Sequence, residues 1–342
     1  MPGYDALLVL SFGGPEGPDD VMPFLRNVTR GRGVPDERLA EVAEHYRHFG
    51  GVSPLNAANR KLVAALRDRL DLPVYWGNRN WHPLVADTVR QMRDDGVRRA
   101  LAFATSAYAS YSACRQYLED IDRARAEVGE GAPEIDKIRH FFDHPLFVAA
   151  NADAARDALR TLSDPDAARL VCTAHSIPAA MARAAGPGGG RYEAQLTETA
   201  RLVAAELGRG PDEVDLVWQS RSGPPRVPWL EPDINDHLEA LAAGGVGAVV
   251  VAPIGFVSDH VEVIWDLDTE ARQTAERFGL GYARAATAGT DPRFVTMIGE
   301  LVAERRDPSC PRRALSPLGP SHDVCPAGCC PVRGEPVAAL TP

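Results

Sequence analysis

Short apolar runs, each cut off by glycine, proline or a polar cluster, recur at 5–12, 73–76, 100–104, 169–173, 214–218, 247–252 and 281–285. Helical patterns alternate with them, at 18–28, 36–48, from Pro54, at 83–94, around Tyr111–Tyr117, and then at 145–162, 192–207, 231–243 and 292–305. A strand–helix alternation of this kind has few solutions other than parallel sheets covered by helices. The first part reads β-α-β-α-β-α, and the cadence restarts at Arg169 without a repeat in the sequence itself. A chain of 342 residues exceeds one ordinary α/β core, so two units are expected, 1–150 and 151–305. The polar segment 126–136 reads as a surface loop, and the Pro- and Cys-rich segment 306–342 as a tail that adds nothing to a core.

A net charge of −10 and a pI near 5.4 argue against nucleic acid or an anionic membrane as the main partner. No apolar run approaches the roughly 20 residues of a membrane span, and the opening MPGYDALLVLSFGG lacks a basic leader. A cytoplasmic protein without stable membrane insertion is therefore expected. Of the six cysteines, Cys310, Cys325, Cys329 and Cys330 crowd into the tail, a spacing that suits metal ligation better than a disulfide framework. Cys114 reads as a buried helix residue, since free cysteine packs as a small hydrophobe.

The stretch VAPIGFVSDHVEVIWDLDTE at 251–270 carries the most chemistry. Its strand stops at Pro253 and Gly255, and a helix starts near Asp259, which puts His260, Glu262 and Asp266 at the end of a parallel strand, where open α/β sheets bind ligands. Glu262, Asp266 and Glu270 fall at i, i+4 and i+8, one acidic ridge if the helix is regular. Like charges at that spacing weaken a helix, and a cation or proton relay would justify them. Asp259 and Glu262 also fit a plain capping box. His175 ends another strand two residues after Thr173, and a histidine with carboxylates suits a transient iron or zinc site. The turn Gly13–Gly17 lacks a dinucleotide fingerprint. Ser220 in QSRSG has no nucleophile elbow, which sets a serine hydrolase aside. Arg26, Arg30 and Arg32 form a basic cluster able to meet an anion.

Taken together, LLVLSFGGPEG at 7–17, GGVSPL at 50–55, TAHSIP at 173–178, WQSRSGPPRVPWLEPDI at 218–234 and PIGFVSDHVEVIWDLD at 253–268 resemble a ferrochelatase. The resemblance is greatest to actinobacterial members that insert iron into coproporphyrin III, and it covers about residues 4–305. It implies two Rossmann-like doubly wound parallel-sheet domains with a cleft between them, as in class II chelatases. The implied enzyme is a lyase-class chelatase that places Fe(II) in coproporphyrin III, giving coprohaem for haem biosynthesis and passing it to a downstream enzyme of that pathway. His175 and Glu262 would face each other across the porphyrin, with Asp266 and Glu270 extending an acidic iron path. Ser53 and Tyr117 would touch the tetrapyrrole, and Arg26, Arg30 and Arg32 its propionates. The tail resembles one that holds a 2Fe–2S cluster, with Cys325, Cys329 and Cys330 as ligands and Cys310 ahead of Cys172 as the fourth. Zinc, or a metal-free tail, are the other readings.

Three positions depart from the family pattern: Phe12 stands where some relatives have an iron-ligating tyrosine, and Thr29 and His45 stand where relatives carry basic residues. The competing functions are a protoporphyrin IX ferrochelatase, another tetrapyrrole chelatase, or a non-catalytic porphyrin or haem carrier.

Overall fold

The computed structural model describes residues 3–31, 33–223, 226–289 and 291–331. The first strand, β1 (Ala6–Ser11), is buried at every position, as expected of a parallel strand covered on both faces. It lies at the centre of a four-stranded parallel sheet ordered β2-β1-β3-β4, where β2 is Val74–Asn78, β3 Arg99–Ala104 and β4 Glu134–Lys137. The connections are helical: α1 (Val21–Val28), α2 (Asp36–His48), α3 (Pro54–Arg69), α4 (Val85–Asp94) and α5 (Gln116–Val128). Ser53 caps α3 with Pro54 in its first turn, as the sequence reading expects.

Helix α6 (Pro145–Leu159) leads to the second sheet, with β5 (Arg169–His175), β6 (Val214–Gln219), β7 (Ala248–Ala252) and β8 (Gly281–Arg284). This sheet is also all-parallel, and its order, β6-β5-β7-β8, repeats that of the first. Its helices are α7 (Ala179–Arg183), α8 (Arg191–Glu206), α9 (Ile234–Ala243), α10 (Val261–Ile264), α11 (Arg272–Arg277) and α12 (Pro292–Arg306). Two doubly wound parallel sheets are thus the architecture expected from the strand–helix cadence.

One apolar core runs through both halves, joining Leu7, Val9 and Leu101 of the first sheet to Leu170 and Val250 of the second. At its middle Phe103, Phe141, Phe147 and Phe294 pack ring on ring, with neighbouring centroids 5.1 to 6.2 Å apart. Helix α12 packs on α6 and reaches back to α3. Arg139, on the segment before α6, pairs bidentately with Glu304 of α12, the two side chains 1 % and 5 % exposed.

Three local expectations are corrected. The supposed loop 126–136 holds the end of α5 and the start of β4, a short polar edge strand whose apolar alternation is too brief to show. The segments Tyr111–Arg115 and Trp265–Ala271 are π-helical, wider than the α-helix assumed for both. The tail is not merely peripheral, because Cys329 and Cys330 are buried against Ala109. None of the described helices is long and apolar enough to cross a membrane.

Candidate active site

In each sheet the chain order reverses about the first strand, at β1/β3 and at β5/β7, and crevices of open α/β sheets lie outside the carboxyl ends at such points. His175 is the last residue of β5, and Glu262 follows the turn after β7. That turn can press against β5 because Gly255 has no side chain: a Cβ there would lie 2.5 Å from the Cβ of Ala174. The Gly255 N–H donates to Thr173 O at 3.0 Å and locks the approach. As a result His175 Nε2 and Glu262 Oε2 stand 3.9 Å apart, both side chains partly open to solvent.

The histidine is held from behind. Tyr192 Oη donates to His175 O at 2.8 Å, and the next residue, Ser176, is tied to Gln219 O and Leu230 O. His175 Nδ1 lies 2.5 Å from Ser176 O. A carbonyl only accepts, so Nδ1 carries the hydrogen and the neutral ring keeps its lone pair on Nε2, on the side of Glu262.

The expected acidic ridge is broken by geometry. Glu262 is on α10, but Asp266 and Glu270 lie on the π-helical turn, where each residue advances by a smaller angle. Asp266 turns inward, accepting from Gln219 Nε2 at 3.2 Å and from the Ser220 hydroxyl. Ser220 adopts φ 61°, a left-handed conformation that aims its hydroxyl back at this carboxylate. Burial, reinforced by the charges of Glu262 and Glu270, pushes the Asp266 carboxyl up to about 7 despite those two hydrogen bonds. Gln219 is also the cross-strand partner of His175. His175, Gln219, Asp266 and Glu262 therefore form one compact group. Glu270 instead accepts from Trp265 Nε1 at 2.8 Å. His260 stands at the start of α10, and burial lowers the pKa of its ring, which keeps it neutral and packed on Phe256.

Further apolar surface lies at the carboxyl edge of the first sheet. After β1, Phe12 is 39 % exposed and meets Phe24 edge to face, and Val52 is exposed close by in the chain bridged to Glu16. These are apolar surfaces suited to a flat ring. Ser53 lies against Gly14, in the turn after β1. Tyr117 is buried, its ring covered by Arg79 at 4.0 Å, and Arg79 in turn pairs with Asp120. Helices α1 and α2 close over the end of α10: Phe24, Leu25 and Tyr46 pack with Val261. His45 stacks on Trp265 at 4.0 Å, which accounts for a ring at that position rather than a flexible cation.

The arginine cluster does not act as a unit. Arg26 is paired with Asp36 at 2.7 Å on the surface, Arg30 is exposed in the turn after α1, and Arg32 lies outside the described residues.

A second group of reactive side chains lies at the entry to α5. Cys329 and Cys330 bring their sulfurs to 3.8 Å, and Cys325 Sγ is 4.0 Å from Cys114 Sγ. His322, Cys325 and Cys329 have ligand atoms within 4.8 Å of one another. Gly186 N donates to Cys330 Sγ at 3.1 Å. All four sulfurs are free thiols, and a converging set of soft donors fits an iron–sulfur cluster or zinc. Cys310 stands apart in the turn after α12, bonded to Asp307, and Cys172 is sealed in β5. The expectation that Cys310 joins the other tail cysteines is therefore corrected, and Cys114, read from sequence as packing only, takes part. Neither Cys114 nor His322 carries a spacing signal, since one lies far from the tail in sequence and the other is a single histidine.

The family model for Ferrochelatase matches residues 4–306. The coproporphyrin III ferrochelatase of Nocardia farcinica is 58 % identical over 98 % of this chain and 99 % of its own length. That of Mycolicibacterium smegmatis is 56 % identical over 97 % of each. Among solved structures, SirB from Bacillus subtilis with Fe3+ superposes with a TM-score of 0.54 at 11 % identity, over 88 % of this chain and 96 % of that one. This last likeness bears on the fold alone.

Proposed function

The chain belongs to the ferrochelatase family, and from that premise we propose that His175 and Glu262 are the residues with which it inserts Fe(II) into coproporphyrin III to give coprohaem for haem biosynthesis. The observation that carries the assignment is the pairing of Nε2 and Oε2 at 3.9 Å across the β5/β7 switch point. Insertion replaces two pyrrole N–H protons by one divalent ion, so the site must accept protons next to a weak, exchangeable metal position. The Nε2 lone pair of His175 accepts a pyrrole proton. Glu262 offers the incoming iron a carboxylate that holds it without trapping it. Asp266, with its carboxyl near 7, exchanges protons with this pair at neutral pH, which frees the base for the second pyrrole proton. Phe12 offers no ligand, so the product iron is held through His175 or left without a protein ligand.

Ser53 and Tyr117 are the tetrapyrrole contacts in this reading, although Ser53 is buried against Gly14 and Tyr117 lies in the core under Arg79. Arg30 and Arg32 are the propionate partners in this reading, and Arg26 joins them only by leaving Asp36. The units are 1–150 and 151–305, and the tail 306–342 holds a 2Fe–2S cluster through Cys325, Cys329 and Cys330. Such a cluster supplies one-electron chemistry when bound. Six free thiols suit a reducing compartment, the cytoplasm, where a downstream enzyme of the pathway takes the product.

Anaerobic insertion of Fe(II) by the purified protein, followed by the Soret shift with coproporphyrin III against protoporphyrin IX, tests the reading. A strong preference for coproporphyrin is expected. Equal rates would remove the substrate assignment, and Glu262→Gln that inserts iron normally would remove the residue assignment. Porphyrin binding without insertion by the unaltered protein would favour a carrier.

A further inference from the structure

We infer that Cys114 supplies the fourth thiolate of the metal centre in the tail, so that this centre fastens both halves of the molecule to residues 325–330. The inference rests on the cluster reading above and assigns the ligand which that reading leaves open.

Cys114 lies within the π-helical segment Tyr111–Arg115, at the entry to α5, 1 % exposed. Its sulfur is in contact with Cys325 at 4.0 Å, while Cys329 and Cys330 complete the group 3.8 Å from each other. Adjacent cysteines normally point apart, but Cys330 adopts φ 51°, which turns the chain so that both sulfurs are buried in one place. The same conformation brings the Cys330 sulfur to the Gly186 N–H and buries it beside Ala109. Two histidines lie beside the group: His322, half-buried, has a ligand atom within 4.8 Å of those of Cys325 and Cys329, and buried His140 makes a side-chain contact with Cys114. Cluster irons take thiolates by preference, and four thiols are present without them.

The placement has a structural result. Cys114 belongs to the segment that follows β3, where Tyr108 Oη donates to Ile254 O and Ala109 N to Gln195 Oε1. Cys330 accepts from Gly186, in the loop between α7 and α8, and α7 follows His175 by a few residues. A centre with this ligand set spans the two units immediately behind the porphyrin walls.

The test is anaerobic reconstitution of the full chain with Fe(II) and sulfide, reading iron and acid-labile sulfide per chain, visible circular dichroism, and the electron paramagnetic resonance of the reduced state. Cys310→Ala and His322→Gln are expected to keep the full complement. Cys114→Ala is expected to lose at least about tenfold of it, with the far-ultraviolet spectrum and porphyrin affinity of the metal-free protein unchanged. Full loading of Cys114→Ala, or loss in Cys310→Ala or His322→Gln, would overturn the assignment. If Cys114→Ala does not fold, Cys114→Ser replaces it, and retention of the wild-type resonance there would overturn the assignment equally. If the unaltered chain takes up zinc but no sulfide, and Cys114→Ala loses the zinc, the ligand assignment holds and the cluster reading fails. Uptake of neither overturns both.

Discussion

Replacing Asp266 with asparagine is expected to stabilise the protein at pH 8 and to do so much less at pH 5. In the fold the carboxyl keeps its proton up to about 7, because it is buried and flanked by Glu262 and Glu270. In the unfolded chain it releases that proton near about 4. Between these values the folded state binds more protons than the unfolded one, so stability falls as pH rises through the window. At about 1.4 kcal/mol per pH unit, holding the ionised carboxylate costs the fold roughly 4 kcal/mol by pH 8. Asparagine has the same shape, still accepts from Ser220 and Gln219 through its oxygen, and carries no charge. Relaxation of the site reduces the benefit, so the gain at pH 8 is put at about 2–4 kcal/mol, against about 1 kcal/mol at pH 5, where the unfolded carboxyl is already largely ionised. Urea unfolding of both proteins at pH 5, 6.5 and 8, followed by circular dichroism, measures it. An equal gain at both extremes, or a loss at pH 8, would refute the claim that a buried, proton-holding carboxyl sits beside Glu262. The same variant is expected to slow iron insertion at neutral pH, since it cannot relay a proton.

Other perturbations follow from the same structure. Arg139→Ala strands Glu304 as a buried charge and is expected to cost about 3–5 kcal/mol in a denaturation experiment, whereas Arg139→Met with Glu304→Leu recovers most of the loss. Gly14→Ala puts a methyl 2.7 Å from Ser53 Oγ, so it is expected to disturb the cap of α3 by about 1 kcal/mol and to weaken porphyrin binding, read by fluorescence quenching. Tyr192→Phe removes the hydrogen bond to His175 O and is expected to cost about 1 kcal/mol of stability and to lower the insertion rate more than the porphyrin affinity. Phe12→Tyr places a phenol at the exposed end of β1, and a new charge-transfer band with slower product release would report its ligation of the iron.

The strands could be read because apolar runs buried on both faces leave an unbroken signature, and β1 and β7 show it along their lengths. The approach of His175 and Glu262 could be anticipated because one ends β5 and the other follows the turn after β7, each within a distinctive motif. Strand β4 could not, since EIDK is four residues of mostly polar edge held by its register with β3. The inward turn of Asp266 was hidden for a different reason: regular spacing assumes 3.6 residues per turn, and the backbone from Trp265 to Ala271 does not keep it. The meeting of Cys114 with Cys325 is a contact between residues 211 positions apart, which no local pattern encodes.

The ring stack of Phe103, Phe141, Phe147 and Phe294 also limits how a substrate can be admitted. A molecule whose halves are joined by one interior cannot swing them apart like a clam, because every degree of rotation would open a void among closely packed aromatic rings. The α1–α2 arm differs: it has a separate, smaller core that includes Val261, and His45 stacks on Trp265 beside it. The molecule has two fixed faces, and the α1–α2 arm is the part seated on the smaller interior.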